Sequence, residues 1–322
     1  MVPPGRWIEK NIRERAFEVD HNFEGWRLDQ FLANRIAGMS RSLAGRVAKD
    51  GGVTIDPPRK VKAGTKLQLG DRVVVREELA PEQVQDDEVD VLYSDDAVII
   101  LNKPAGMLVH ETATVRLNTI THYLERQGLG DAEPVHRIDR ETSGVLVCAR
   151  RAQFRAQLCG LFATDAPSKI YRALVVDPDR QWEPGRQVTI DEGLGPVEDS
   201  ELSLRMGPGA LASVTHITAI RRVLIGGEEL ADLQVKIDTG RQHQIRAHLW
   251  MWGTPIAGDK LYGKSDEFFK AVCDAPDDPE LQRRLIFSRH ALHAWKISLP
   301  HPVTGEILQA QAPLPGIWDV AP

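Results

Sequence analysis

Residues 136–144 constrain the fold of this 322-residue chain more than any other stretch. They read His-Arg-Ile-Asp-Arg-Glu-Thr-Ser-Gly, and an apolar run at 145–149 follows directly. Charged and hydroxyl side chains are costly to bury without partners, so the pattern predicts a polar loop that lines a cleft and leads into a buried strand. Asp139, between Arg137 and Arg140, is the first candidate for chemistry, although Asp before Thr and Ser also suits a turn.

The composition is that of an ordinary globular protein, with 42% hydrophobic and 27% charged residues. No window approaches the roughly 18 consecutive apolar residues of a membrane helix, and residues 1–10 lack the apolar core of a secretory signal. The three cysteines form neither a paired framework nor a Cys-x-x-Cys ligand spacing. We therefore expect a cytoplasmic protein with no membrane segment and no structural zinc.

The net charge of −6 hides an uneven distribution. Residues 27–76 are strongly basic, whereas residues 82–96 are acidic. A local basic face matters more for phosphate binding than the total charge, so a nucleic-acid partner is not excluded.

Two helices and several short strands are predicted in the basic part. Apolar residues recur at helical spacing over 27–36, and Ser40 suits the N-cap of a helix over 41–49. Short strands are predicted at 53–55, around Val61, at 67–69 and at 73–75. We expect an N-terminal extension (1–25), a small α/β domain (26–78) and an acidic linker (79–90).

The remainder, residues 91–322, is predicted to form one larger domain. Strands are expected at 98–101, 144–149, 171–176, 233–237 and 294–299, and helices at 151–164 and 242–252. Uneven connections with few crossover helices favour an α+β fold with a mainly antiparallel or mixed sheet and a few flanking helices.

Four segments of the larger region carry polar side chains that a buried core would lack. They are residues 101–106, 136–144, 168–173 and 238–248. Together with Gly-Asp-x-x-Tyr-Gly at 258–263 and Arg-His-Ala-Leu-His-Ala at 289–294, they resemble the RluA-type pseudouridine synthases, with Ile138 where that family usually has leucine. Chains of that family often carry an N-terminal S4 RNA-binding domain. Residues 26–76 resemble this domain, including an Arg-Leu-Asp entry at 27–29.

The resemblance implies an isomerase that converts specific uridines of structured RNA to pseudouridine without a cofactor or metal. The reaction breaks the N-glycosidic bond, rotates the base and joins C5 to the ribose. Asp139 matches the one ionised carboxylate required, which either adds to the base or sugar or removes a ribose proton. Arg246 matches the cation that keeps it charged, since an opposite charge within about 4–6 Å lowers a carboxyl pKa.

The resemblance also assigns residues around the substrate. Tyr171 matches an aromatic residue that stacks on the base. Arg137 matches a residue whose planar guanidinium fills the gap left by the flipped uridine. Leu292 matches an apolar residue packed against the pocket, and Lys103 either supports the Asp139 loop or contacts a phosphate. In the S4-like domain the expected RNA-binding residues are Arg41, Arg46 and Lys49.

The expected partner is ribosomal RNA, with transfer RNA as the alternative, and the expected state is a monomer. Two other functions stay open at this point. One is a non-catalytic S4-type RNA-binding or ribosome-assembly protein, and the other is a glycoside hydrolase with Glu141 as its second acid. The histidines at 243, 248, 290 and 293 lack metal-ligand spacing and are expected in structural polar roles. No role is predicted for residues 191–209.

Overall fold

The computed structural model of the chain describes residues 6–8, 11–36, 39–79, 81–84, 88–112 and 114–319. The chain divides into two compact units that meet in sequence near residue 86, with residues 113–115 belonging to the first unit. None of the helices in the described ranges has the length and apolar character needed to cross a membrane.

The small unit combines two helices with short antiparallel strands. Its elements are β1 (Arg6–Ile8), β2 (Asn11–Glu18), α1 (Leu28–Arg35), α2 (Arg41–Lys49), β3 (Val53–Asp56), β4 (Arg72–Leu79) and β5 (Glu82–Val84). The strands form a sheet in the order β2-β4-β3, and β1 pairs with β5. Thus β2 lies in the range predicted as an extension, and β5 lies in the predicted linker.

The predicted strands around Val61 and at 67–69 are absent from the structure. This part of the chain makes only one isolated β-bridge, between Arg27 and Lys66. Its backbone instead runs as turns, because Leu67 exchanges hydrogen bonds with Gly25 and Trp26 rather than with a neighbouring strand.

Both helices of the small unit begin where the sequence predicts. Ser40 Oγ accepts the Leu43 N–H (3.2 Å) and so caps α2, as a serine N-cap should. On α1, Leu28, Phe31 and Leu32 are fully buried on one face, and they pack in a core with the sheet. This packing leaves Arg35 of α1 and the cations of α2 exposed to solvent, whereas Asp29 of α1 is buried.

The large unit is built around strands β6 to β17. The strands are β6 (Asp90–Ser94), β7 (Val98–Lys103), β8 (Glu133–Pro134), β9 (Ser143–Ala149), β10 (Ser168–Val176), β11 (Gln187–Asp191), β12 (Leu194–Pro196), β13 (Met206–Pro208), β14 (Val214–Ile225), β15 (Glu228–Ile237), β16 (Leu292–Pro300) and β17 (Ile307–Gln311). The helices are α3 (Ile120–Arg126), α4 (Ala152–Phe162), α5 (Gln244–Met251), α6 (Asp266–Asp274) and α7 (Pro279–Arg283).

Ten of these strands form one sheet, whose main path runs β11-β14-β15-β10-β16-β9-β7-β6. Strand β17 pairs with β16, and β8 pairs with β9. Among the described strands of this sheet, β9 and β16 run parallel and every other pair is antiparallel. The predicted α+β fold with a mixed, mainly antiparallel sheet is confirmed.

Strand β9 lies inside this sheet, between β16 and β7, and is buried along its whole length. Strand β10, on the far side of β16, is buried over most of its residues, and both β9 and β10 contribute to the main core of the unit. The polar loop that precedes β9 is therefore attached to a fully buried strand, which suits a site that needs fixed geometry.

Candidate active site

The loop that carries Asp139 joins β8 to β9, and Gly144 fixes its end. Gly144 has a φ of +108°, which side chains other than glycine rarely adopt. A Cβ atom there would lie 2.1 Å from the carbonyl oxygen of Ala294. Glycine thus permits the close parallel pairing of β9 with β16, and this pairing sets the loop beside the start of β16.

Lys103 also supports the loop that carries Asp139. Its side chain is fully buried, and Nζ donates to the carbonyl oxygens of Pro104 (2.8 Å), Met107 (2.7 Å) and Arg140 (3.1 Å). Burial lowers the pKa of this lysine to about 7. Of the two predicted roles, this geometry favours support of the Asp139 loop, because a fully buried ammonium has no surface to offer an RNA phosphate.

Asp139 meets the predicted cation across a long sequence separation. Arg246, in the first turn of α5, donates from Nη1 to Asp139 Oδ2 at 2.9 Å. Its Nε and Nη2 donate to Asp259 Oδ2 (2.7 Å) and Oδ1 (3.0 Å). One buried guanidinium therefore serves two carboxylates, of which Asp259 is fully buried and Asp139 keeps 26% of its side chain exposed.

The environment keeps Asp139 ionised. Burial alone would raise its pKa, but the charge and hydrogen bond of Arg246, helped by His243 and His290, lower the pKa below the ordinary value of 3.8. Burial also lowers the pKa of both imidazoles to about 4, so they are neutral at pH 7. At neutral pH the cation beside Asp139 is therefore Arg246.

Asp259 belongs to this buried cluster although sequence analysis assigned it no role, and its Gly-Asp motif was part of the resemblance. The turn at Gly258 has a φ of +77°, and a Cβ there would lie 2.2 Å from the Arg289 carbonyl oxygen. Asp259 Oδ1 also accepts the N–H groups of Leu261 (2.9 Å) and Tyr262 (3.0 Å). These bonds anchor Asp259, which in turn fixes the guanidinium of Arg246.

An open cleft lies over the exposed edge of Asp139. It encloses about 440 Å³, including the part that opens to solvent, and Tyr171 and Leu292 line it together with Arg137. Tyr171 and Leu292 are buried, whereas Arg137 is exposed. The structure thus brings together five of the predicted residues, Asp139, Tyr171, Arg246, Arg137 and Leu292, from a loop, two strands and a helix.

Tyr171 offers a free hydroxyl to this cleft. The hydroxyl makes no hydrogen bond with the described part of the chain, and burial, with the charge of Asp139, raises its pKa. The ring is held by β10, which pairs with β15 and β16 on either side. A protonated phenol with a fixed ring can stack on a flat base and donate a hydrogen bond.

Asp139 is the one acidic residue among those that line the cleft in the described chain. Glu141 is engaged elsewhere, since it pairs with Lys260 and accepts the backbone N–H of His290 (3.2 Å). Glycoside hydrolysis generally needs two carboxylates that face the substrate, so the geometry disfavours that function. The described residues also contain no group of three His, Cys, Asp or Glu side chains placed to hold a metal.

The three predicted cations of the small unit lie on α2 and face solvent. Arg41 donates to Asp29 Oδ2 at 3.3 Å while its side chain stays 56% exposed. Arg46 and Lys49 are exposed as well.

Comparisons with known proteins agree on one family. Residues 97–250 match the family model described as RNA pseudouridylate synthase. The chain is 30% identical over 300 residues to ribosomal large subunit pseudouridine synthase D of Vibrio parahaemolyticus, covering 90% of this chain and 88% of the relative. It is 31% identical to synthase C of the same organism, with 92% of each chain covered.

A solved structure has the same fold. The human RNA pseudouridylate synthase domain containing 1 superposes with a TM-score of 0.54 at 22% identity, over 72% of this chain and 86% of the human one. The fold, the cleft with its carboxylate and these relatives together define an isomerase that modifies RNA. The chain belongs to the RluA-type RNA pseudouridine synthases. This family membership decides against a purely non-catalytic RNA-binding protein.

Proposed function

We propose that Asp139 is the carboxylate that carries out the isomerisation of uridine in this enzyme. The observation that carries the proposal is its position as the sole acid among the described lining residues of the cleft, with Arg246 at 2.9 Å. A carboxylate with a lowered pKa is ionised at neutral pH and available as a nucleophile or base. The proposed chemistry needs no cofactor and no metal.

We further propose that the cleft receives a uridine flipped out of the RNA stack. Extrusion is required because the reacting atoms are inaccessible in a stacked helix. Tyr171 would stack on the base, Leu292 would pack against it, and the exposed Arg137 would fill the vacated stack. Support comes from the free hydroxyl of Tyr171 and from the mixture of apolar and polar groups around Asp139.

The small unit is proposed to bind RNA as an S4-like domain spanning residues 26–78, through Arg41, Arg46 and Lys49. Their shared exposure on α2 supports this role, because exposed cations can neutralise phosphates. Since several relatives are named for the large ribosomal subunit, we propose ribosomal RNA as the target, in preference to transfer RNA. A monomer that acts in the cytoplasm is part of the proposal.

The test is to map pseudouridines by carbodiimide chemistry in total RNA from cells with and without the gene. We expect at least one uridine of large-subunit ribosomal RNA to lose its modification without the gene. The parent and a control variant, Asp96→Asn at a fully exposed aspartate, should restore it, whereas Asp139→Asn should not. A lost site in transfer RNA alone would overturn the target, and restoration by Asp139→Asn would overturn the assignment of Asp139.

A further inference from the structure

His243 stands out among the cleft residues because its backbone is held in an unfavourable conformation. It has a φ of +55°, and Arg180 is the only other non-glycine residue with a positive φ in the described ranges. Such conformations cost free energy and persist where surrounding bonds impose them. The Gln244 side chain closes the turn that contains His243, since its Oε1 accepts from Thr239 Oγ1 (2.7 Å) and from the N–H of Arg241 (3.1 Å).

The hydrogen bonds around His243 define its tautomer. Tyr262 Oη accepts the backbone N–H of Met206 (3.0 Å) and lies 3.2 Å from His243 Nδ1. The Tyr262 hydroxyl has no other candidate acceptor within reach in the described chain, so the geometry favours donation from Tyr262 to Nδ1. A neutral imidazole has one donor and one acceptor nitrogen, which leaves the proton on Nε2.

That Nε2–H faces the active carboxylate. Nε2 lies 3.8 Å from Asp139 Oδ1, whereas Arg246 holds the other oxygen, Oδ2, at 2.9 Å. The 3.8 Å separation is too long for a direct hydrogen bond. Catalytic hydrogen bonds are often long before substrate binds and tighten in the complex.

We propose that His243 is a positioning residue whose Nε2–H donates to Oδ1 of Asp139 once RNA is bound. One donor on each oxygen then holds the carboxylate plane in a single orientation towards the uridine. Each oxygen keeps a second lone pair, so the carboxylate remains able to react. This inference rests on the proposed role of Asp139.

The same proposal assigns a role to residues 191–209. Strands β12 and β13 pair with each other in this segment, and Leu194 and Met206 pack against Tyr262 in a separate small core. The Met206 N–H occupies an acceptor lone pair of Tyr262 Oη, which directs the hydroxyl proton to His243. The segment thus orients Tyr262, and Tyr262 orients His243.

Two amide substitutions test the donor. The amide nitrogen of Gln reaches the position of Nε2, whereas that of Asn reaches only the position of Nδ1. We expect His243→Gln to keep kcat within about threefold and His243→Asn to lower it about 10- to 100-fold, with KM for RNA nearly unchanged, because misplacement near 1 Å can cost about 100-fold. A purely backbone role predicts the reverse order, because asparagine tolerates positive φ better than glutamine.

A second set of variants tests whether Tyr262 orients His243. Tyr262→Phe should lower kcat in the parent but add little to His243→Gln, and ¹⁵N-histidine NMR should show the Nε2–H tautomer of His243 in the parent and its loss in Tyr262→Phe. Tyr123→Phe, which removes a hydroxyl bonded to Val89, is the matched control. Full activity of His243→Asn while Asp139→Asn is inactive would overturn this inference alone. Full activity of Asp139→Asn would overturn the proposed function itself.

Discussion

Two ion-pair clusters, one in each unit, combine arginine and aspartate in opposite proportions. In the small unit one carboxylate, that of Asp29, forms ion pairs with two arginines, Arg27 (3.1 Å) and Arg41 (3.3 Å). The side chains of these arginines are 42% and 56% exposed. In the large unit one arginine, Arg246, serves two carboxylates and is 8% exposed. The first arrangement leaves excess positive charge in solvent, and the second leaves excess negative charge inside.

This difference fits the proposed division of roles, with RNA binding in the small unit and chemistry in the large unit. Exposed arginines are screened by salt, and ion pairs of this kind contribute about 0–1 kcal/mol to stability. They are suited to contacts with phosphates. In the buried cluster, removal of one partner costs about 3–5 kcal/mol because an uncompensated charge remains. Such a cluster keeps Asp139 ionised, as its lowered pKa requires.

The largest effect is expected from Arg246→Gln. Loss of the cation leaves two buried carboxylates, so we expect about 3–5 kcal/mol less stability and a fall in kcat of at least about 100-fold. Chemical unfolding and single-turnover kinetics measure the two effects. Arg246→Lys keeps the charge without the two-pronged bond to Asp259, so it should be impaired less.

The same variant changes the pH dependence. In the parent the folded-state pKa of Asp139 is lowered, so its ion pair stabilises the fold above the unfolded-state value near 3.8 and is lost as pH falls through the lower folded value. Parent kcat should thus show no ionisation of Asp139 between about pH 5 and 8. Without Arg246 burial dominates, the pKa rises, and residual activity should increase with pH. A flat profile in Arg246→Gln would contradict this.

A smaller effect is expected from Lys103→Met. Three carbonyl oxygens lose their donor, so stability should fall by about 1–3 kcal/mol, and kcat should fall because the Asp139 loop loosens. RNA affinity should not change. The matched variant Lys49→Met should do the opposite, weakening RNA binding at unchanged stability. If Lys103→Met instead lowers the salt slope of binding by about 1, Lys103 contacts a phosphate.

The smallest effect on chemistry is expected from combined Arg41→Gln, Arg46→Gln and Lys49→Gln. RNA binding should weaken and its salt slope should fall by about 2, since each neutralised phosphate contact on single strands contributes about 0.7. The value of kcat at saturating RNA should not change. A control that removes three charges from Arg150, Arg151 and Arg155 tests whether net charge alone acts. Equal slopes for parent and variant would remove α2 from the RNA interface.

Sequence patterns predicted several strands of the large unit and the main pair of the site for identifiable reasons. The apolar run at 145–149 follows a polar loop, and it forms the buried strand β9. Asp139 and Arg246 lie 107 residues apart, and their proximity was predicted from the family resemblance of two motifs rather than from spacing. Apolar periodicity also predicted α1, and the capping signal at Ser40 predicted α2.

Other features could not be predicted because they depend on tertiary contacts. A lysine after a strand is usually exposed, and Lys103 is buried only because three carbonyl oxygens from two loops converge on it. His243 was expected in a structural polar role, since no sequence pattern shows that its ring lies 3.2 Å from the Tyr262 hydroxyl. Residues 191–209 carry no motif, and their packing against Tyr262 appears only in the fold.

The central claim is that Asp139 is the reacting carboxylate and is not needed to bind RNA. The most direct measurement is tritium release from RNA labelled at uridine C5 by purified parent and Asp139→Asn, with RNA affinity measured on the same preparations. We expect parent-like affinity and no release from Asp139→Asn, because the amide can be neither base nor nucleophile. Release at the parent rate would contradict the claim.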